Sequence, residues 1–313
     1  MPKVVISEFM DEAAIAADLR GFDTVYDPAL ADRPEALLLA VADADALIVR
    51  NRTQVRVDLL AAAPGLKVIG RLGVGLDNID VAACTARGIA VYPATGANDD
   101  AVAEYVVAAA LVLLRGAYGA TARVAAGTWP RNALMGREIG GKRLGLVGFG
   151  AIARQTARRA AAFGMAISAH DPFLAADDPA WNPPHGPVRN LALDALIARS
   201  DVLSLHVPLT AETRRLIDAD ALTRMPRGAI LINAARGEVV DGAAVVAALR
   251  SGHLGGAALD VFDREPLDAQ AGAVFADVPN LILTPHIAGV TQESNVRVSV
   301  ATARAVRRHL LER

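Results

Sequence analysis

Three charged residues of complementary chemistry lie far apart in the chain, each just after a short apolar run. Arg236 follows Ile230-Leu231-Ile232-Asn233, Glu265 follows Ala257-Ala258-Leu259-Asp260, and His286 follows Leu281-Ile282-Leu283-Thr284. A guanidinium is always charged and grips a carboxylate through two parallel hydrogen bonds. An imidazole passes a proton near neutral pH, and a carboxylate beside it orients the ring and stabilises its protonated form. Such a set suits interconversion of a 2-hydroxy acid and a 2-keto acid, with Arg236 on the carboxylate and carbonyl and His286 supplying the proton. Any one of the three, taken singly, reads as a structural charge at a cap or seam. Three at successive strand ends read as a site, because ligands of open α/β sheets bind outside the carboxyl ends of the strands.

That reaction also needs a hydride partner. Leu144-Gly145-Leu146-Val147-Gly148-Phe149-Gly150-Ala151-Ile152-Ala153 is a strand, a glycine turn and a helix start of the G-x-G-x-x-G/A form. Gly148 permits the turn, Gly150 lets the backbone approach a pyrophosphate, and the small Ala153 lets helix and strand pack closely. The helix N-terminus then offers free N–H groups to the phosphates. Asp171 stands 23 residues after Gly148, close to the spacing of a ribose-binding acid. A carboxylate there accepts from the ribose hydroxyls and repels a 2′-phosphate, and Phe173-Leu174-Ala175 brings no arginine, so the expected cofactor is NAD and not NADP.

The elements that must carry these residues alternate along the chain. Strands are expected over Val4–Ile6, Thr24–Tyr26, Ala46–Val49, Lys67–Gly70 and Ile89–Val91, with helical patterns near Glu12–Leu19, Pro34–Val41, Val57–Ala63 and Ile79–Arg87. A second series gives strands over Leu144–Val147, Ala166–Ala169, Val202–Leu205, Ala229–Ile232, Gly256–Leu259 and Leu281–Leu283. Strand–helix alternation of this kind argues parallel sheets covered on both faces. Long helices after Asn98 and from Thr291 to about Leu311 look like seams between two domains, and the last could return to pack on the first. Ala126–Gly141 and Asp177–Pro187 read as loops.

Composition excludes several classes. Apolar residues are 53% and charged residues 21% of 313, which rules out disorder, and a net charge of −2 gives no reason to expect nucleic acid or an anionic membrane. Three lysines stand against 29 arginines, so an arginine needs context before it counts as functional. Cys84 alone cannot make a disulfide framework, no His/Asp/Glu cluster has metal-ligand spacing, and the longest apolar helix is too short for a membrane span. A cytoplasmic, metal-free protein is expected.

With Leu205-His206-Val207-Pro208-Leu209-Thr210, Asn233 through Asp241, Asp260-Val261-Phe262 through Glu265-Pro266, and Thr284-Pro285-His286-Ile287-Ala288-Gly289, the chain resembles the D-isomer-specific 2-hydroxyacid dehydrogenases nearly end to end. The resemblance implies an α/β fold of two doubly wound parallel-sheet domains: a Rossmann NAD-binding domain (98–289) inserted into a discontinuous flavodoxin-like substrate domain (1–97 and 290–313). It implies Arg236, Glu265 and His286 as catalytic residues, a homodimer, and domain closure over the substrate. Cofactor contacts are implied at Gly148, Phe149, Gly150, Ala151, Ile152, Asp171, His206, Pro208, Thr213, Ala234, Ala235, Arg236, Asp260, His286 and Gly289. For His206 a purely structural hydrogen bond is an equal reading, and His185, His253 and His309 are given no role. Formate dehydrogenases of the superfamily carry Gln where this chain has Glu265, which points away from that branch. No C-terminal regulatory domain is expected after the last helix.

Substrate contacts are expected at Leu72, Gly73, Val74 and Gly75, where two glycines could form an anion-binding nest, together with Arg236 and His286. Arg50 and Arg52, on the loop after Ala46–Val49, could face a second anionic group, or could be solvated surface charges. The resemblance tilts toward a dianion such as 3-phosphoglycerate or sulfolactate, since phosphoglycerate dehydrogenases often show Arg-Ser-Arg-Thr here. Asn51 replaces that serine. The alternatives are a glyoxylate/hydroxypyruvate-type reductase and a non-catalytic NAD-sensing protein like the corepressors of this fold.

Overall fold

Four-residue apolar runs form strands here because both of their faces find a hydrophobic partner. In the computed structural model, which describes residues 1–312, the chain divides into two compact units, Met1–Asn98 with Val290–Arg313, and Asp99–Gly289. Arg313, where the expected second segment of the substrate domain ends, lies outside the described residues.

The first unit begins with β1 (Lys3–Ile6), α1 (Glu12–Asp18), β2 (Asp23–Tyr26), α2 (Pro34–Val41), β3 (Ala46–Val49), α3 (Val57–Ala62), β4 (Val68–Arg71), α4 (Val81–Ala86) and β5 (Ala90–Pro93). The strands pair in parallel in the order β2-β1-β3-β4-β5. Along β3, Leu47 and Val49 enter one apolar cluster and Ala46 and Ile48 another, so the whole run is buried, as parallel sheets require.

The second unit contains α5 (Asp99–Arg115), α6 (Thr121–Ala125), β6 (Arg143–Val147), α7 (Ala151–Ala162), β7 (Ala166–His170), β8 (Arg189–Asn190), α8 (Leu193–Arg199) and β9 (Val202–Leu205). It continues with α9 (Ala219–Arg224), β10 (Ala229–Asn233), α10 (Gly242–Arg250), β11 (Leu254–Leu259), α11 (Ala269–Gly272) and β12 (Leu281–Leu283). Its seven parallel strands run β12-β11-β10-β9-β6-β7-β8, with the order reversing between β6 and β9. This is the doubly wound arrangement in which a ligand crevice opens at the switch point. The stretch expected to be a plain loop, Asp177–Pro187, contains a 3₁₀ turn at Pro179–Trp181. Trp181 is buried and stacks on Phe149 at 5.1 Å, so it bolsters the glycine turn from behind. A short 3₁₀ turn, Asn132–Leu134, likewise interrupts the stretch Ala126–Gly141.

The last helix, α12 (Gln292–Leu311), belongs to the first unit and packs on α1 and β4. Thr291 and Ser294 cap its start reciprocally, at 3.0 and 2.8 Å. Gly70 in β4 admits it: a Cβ there would lie 2.6 Å from Thr302 and 2.8 Å from Val306.

The loop leaving β3 is fixed by one buried carboxylate. Glu8 accepts from the successive N–H groups of Arg50 (2.8 Å), Asn51 (3.3 Å), Arg52 (3.1 Å) and Thr53 (3.0 Å). Asn78 donates to the carbonyls of Arg50 (3.3 Å) and Thr53 (2.7 Å) of the same loop. A buried donor that loses its acceptor costs about 1–3 kcal/mol. Glu8→Ala is therefore expected to lower the stability to urea by about 2–4 kcal/mol, and Glu8→Gln, which keeps one accepting oxygen, by roughly half as much. A Glu8→Ala protein with an unchanged urea midpoint would show that the loop does not depend on this carboxylate.

Candidate active site

Chemistry-bearing loops leave β10, β11 and β12 at their carboxyl ends, side by side in the sheet. After β10, the buried Asn233 folds the turn: its Nδ2 donates to the Arg236 carbonyl (2.8 Å) and its Oδ1 accepts from Ala235 N–H (3.0 Å). Arg236 Nη1 donates to the Ala235 carbonyl at 2.6 Å. Gly237 then passes so close to the β11 loop that a Cβ would fall 2.0 Å from the Phe262 carbonyl carbon. Only glycine fits between backbones at that distance, which seats the Arg236 turn directly against the loop that carries Glu265.

Glu265 and His286 meet as an acid–base pair. The carboxylate takes His286 Nδ1 on Oε2 at 2.6 Å and Phe262 N–H on Oε1 at 3.0 Å. Burial pushes the Glu265 carboxyl up, but the hydrogen bonds from His286 and the Phe262 amide, with the charges of His286 and Arg236, outweigh it and hold the group below the usual carboxylate range. An ionised carboxylate only accepts, so Nδ1 carries the hydrogen and Nε2 is the nitrogen left for exchange with a substrate. His286 itself has a left-handed backbone, φ +54°, which costs a residue with a side chain about 1–2 kcal/mol. Strain of this kind persists only where the surroundings fix it.

The glycine turn after β6 has the features that a dinucleotide needs. Gly148 has φ +86°, and a Cβ there would lie 2.6 Å from the His206 carbonyl oxygen. At Gly150 a Cβ would meet nothing within 4 Å, so the backbone faces open space there. Helix α7 starts at Gly150 with no side-chain cap, a trait it shares with α2, α3, α6 and α8. Its first N–H groups, with Ala151 and Ile152 leading, are thus open to phosphate oxygens. The Asp171 carboxylate accepts from Phe149 N–H (2.8 Å) and Phe173 N–H (3.0 Å), which ties the turn to the end of β7. These groups fit NAD: the turn Gly148–Ile152 can cradle a pyrophosphate, and the Asp171 carboxylate can accept from a ribose hydroxyl.

The remaining expected cofactor positions fall on neighbouring strand ends. His206 follows β9, with Nε2 3.0 Å from Ser204 Oγ, and burial pushes its pKa down to about 4, so the ring is neutral. Thr213 Oγ1 donates to the Pro208 carbonyl at 2.6 Å and closes that loop on itself. Ala234 and Ala235 lie in the Asn233 turn, and Asp260 and Gly289 flank the loop of His286.

In the first unit, the Arg50 guanidinium donates to Asn295 Oδ1 at 2.8 Å, and burial pushes its pKa down. Arg52 is exposed and paired with Asp32, a partner that sequence spacing did not suggest. Leu72 is buried and Gly73 has φ +148°. The N–H groups of Val74 and Gly75 make no hydrogen bond among the described residues. Glu8 and Asn233, which shape the loops carrying Arg50, Arg52 and Arg236, were not singled out from sequence; the one signal was a polar residue at or just past the end of a buried strand.

No single helix among the described residues is long and apolar enough to cross a membrane. The model of the D-isomer specific 2-hydroxyacid dehydrogenase NAD-binding domain matches residues 107–288. The chain is 55% identical to the (S)-sulfolactate dehydrogenase of Chromohalobacter salexigens over 99% of both proteins. It is 40% identical over 98% of its length to the D-3-phosphoglycerate dehydrogenase of Mycobacterium leprae, of which it spans 56%. The crystal structure of a D-lactate dehydrogenase from Aquifex aeolicus, complexed with NAD and lactic acid, is 27% identical with a TM-score of 0.84, covering 99% of this chain and 96% of that one. The chain therefore belongs to the D-isomer specific 2-hydroxyacid dehydrogenase family and is an NAD-dependent oxidoreductase that interconverts a 2-hydroxy acid and its 2-keto acid.

Proposed function

We propose that the substrate is a small dianionic 2-hydroxy acid, such as sulfolactate or 3-phosphoglycerate, and that Arg236, Glu265 and His286 carry its chemistry. The contact between His286 Nδ1 and Glu265 Oε2 at 2.6 Å is the observation on which the assignment rests. NAD, when bound, accepts or supplies the hydride at the carbon bearing the hydroxyl or keto oxygen. Arg236 grips the substrate carboxylate and polarises the carbonyl. In reduction, protonated His286 gives up a proton from Nε2 to the carbonyl oxygen; in oxidation, the neutral ring takes it back. Glu265 holds the ring and stabilises the imidazolium between turnovers. Gly148 through Ile152 would hold the pyrophosphate and Asp171 the ribose, with residues 98–289 as the NAD-binding domain. The unbonded amides of Val74 and Gly75 support a role for that turn in gripping the substrate carboxylate.

Arg50 and Arg52 are assigned to the second anion. The exposed Arg52–Asp32 pair does not stand in the way, since such surface pairs are worth about 0–1 kcal/mol and a charge-assisted bond to a bound ligand about 1.5–3 kcal/mol. Sulfolactate bears a carboxylate and a sulfonate, and the similarity to a sulfolactate dehydrogenase supports a dianion. A homodimer is proposed as well, supported by exposed Tyr118, Val124, Trp129 and Met135 on one segment after α5. One buried cysteine, Cys84, fits a reducing, cytoplasmic setting.

Because reduction consumes the imidazolium proton, keto-acid reduction should be favoured at lower pH and hydroxy-acid oxidation at higher pH. His286→Ala should lose roughly 10²–10⁴-fold in turnover. Glu265→Gln removes the charge that stabilises the imidazolium, so the pH at which reduction falls off should move down. Full turnover without His286, measured by NADH absorbance, would remove it from the reaction. Arg52→Ala should cost on the order of 10–150-fold in kcat/KM for the dianion, and leave glyoxylate and pyruvate nearly unaffected. Equal losses on both kinds of substrate would make Arg52 structural and favour a glyoxylate/hydroxypyruvate-type reductase.

A further inference from the structure

The loop that carries His286 is wrapped around one buried side chain. Asp260, at the end of β11, takes Thr284 Oγ1 (2.6 Å) and Ile287 N–H (2.9 Å) on Oδ1 and Ala288 N–H (2.8 Å) on Oδ2. Its backbone carbonyl accepts from His286 N–H at 2.8 Å. These four bonds bracket the left-handed residue on both sides. Thr284 is bonded in turn to Tyr105, on α5, with 2.6 Å between the two hydroxyl oxygens.

The direction of the chain of hydroxyls follows from what each group is able to do. A carboxylate only accepts, so the single hydroxyl proton of Thr284 goes to Asp260. Tyr105 must then be the donor to Thr284. Burial raises the Tyr105 phenol, the bond to Thr284 and the charge of Asp260 being its other influences, so the phenol keeps the proton it donates. Both O–H groups point the same way, and each bond polarises the next.

We infer that Tyr105 is a positioning residue: through Thr284 and Asp260 it holds the loop in the one backbone conformation that brings His286 onto Glu265. The inference rests on the proposed role of His286 as proton donor. Tyr105 touches neither Glu265 nor His286 directly, and its effect passes through the hydroxyl and not through the ring, which packs against the apolar core.

Tyr105→Phe and Thr284→Val each delete one hydroxyl with little change of shape, whereas Thr284→Ser keeps it. Turnover, KM for the keto acid and melting temperature are measured for all three, with His286→Ala alone and combined with Tyr105→Phe. A displacement of a catalytic group well under 1 Å is expected to cost on the order of 10-fold in kcat for Tyr105→Phe and Thr284→Val, with KM nearly unchanged in both and full kcat for Thr284→Ser. Thr284→Val leaves Asp260 short of a donor, so its melting temperature should be lower. In the His286→Ala background, Tyr105→Phe should cost nothing more, since it acts through the missing ring. Unchanged kcat in Tyr105→Phe beside an inactive His286→Ala overturns the inference and leaves the role of His286 standing. A loss that persists in the His286→Ala background, or is as large in Thr284→Ser as in Thr284→Val, overturns it in favour of simple packing. Full activity of His286→Ala would defeat the proton-donor reading, and this inference with it.

Discussion

A carboxylate that accepts backbone N–H groups holds four of the loops that carry the candidate site residues. Asp260 gathers the amides of Ile287 and Ala288 around His286, and Glu265 takes the amide of Phe262 while it holds the imidazole. Asp171 ties the glycine turn through Phe149, and Glu8 organises four successive amides from Arg50 to Thr53. Hydrogen bonds to an ionised acceptor are shorter and roughly twice as strong as neutral ones. A loop whose amides converge on such a group keeps one shape without being buried. That reconciles exposed strand-end loops with a left-handed His286 and a close-packed Gly237.

The parallel sheet sets where those loops lie. Every strand of the second unit points the same way, so every βα turn emerges on one edge, and the neighbours β10, β11 and β12 place residues 236, 265 and 286 next to one another. Helix starts on that edge divide into two kinds. Asp218 and Asp241 satisfy the first amides of α9 and α10, whereas α7 at Gly150 and α8 at Ala192 begin with no side-chain cap. A missing cap does not by itself mark an anion site, since α8 lacks one too; at α7 it is joined to the glycine turn of Gly148 and Gly150.

Much of this was legible in the sequence. Runs such as Ala46–Val49 and Ala229–Ile232 are apolar on both faces, which marks buried parallel strands, and the glycine turn with Asp171 carried its own spacing. Elements defined by partners far along the chain were not legible. β8 is two exposed polar residues that pair only because β7 offers an edge. Trp181, inside a proline-rich stretch, is held by Phe149, 32 positions earlier. Tyr105 reads as one more helical apolar residue until Thr284, 179 positions away, supplies its partner. Hydrophobic period reports which face is buried; it carries no record of which polar atom waits there.

In the proposed reaction, hydride and proton reach the two ends of one carbonyl through these strand-end groups. The most direct measurement supplies the purified protein with NADH carrying deuterium at the transferable C4 position, and offers a panel of 2-keto acids that includes sulfopyruvate and 3-phosphohydroxypyruvate. The products are read by mass spectrometry and proton NMR. At least one keto acid is expected to be turned over, with one deuterium appearing at C2 of the hydroxy acid for each NADH consumed. Consumption of NADH without deuterium at C2, or no turnover of any 2-keto acid, would contradict the proposed reaction.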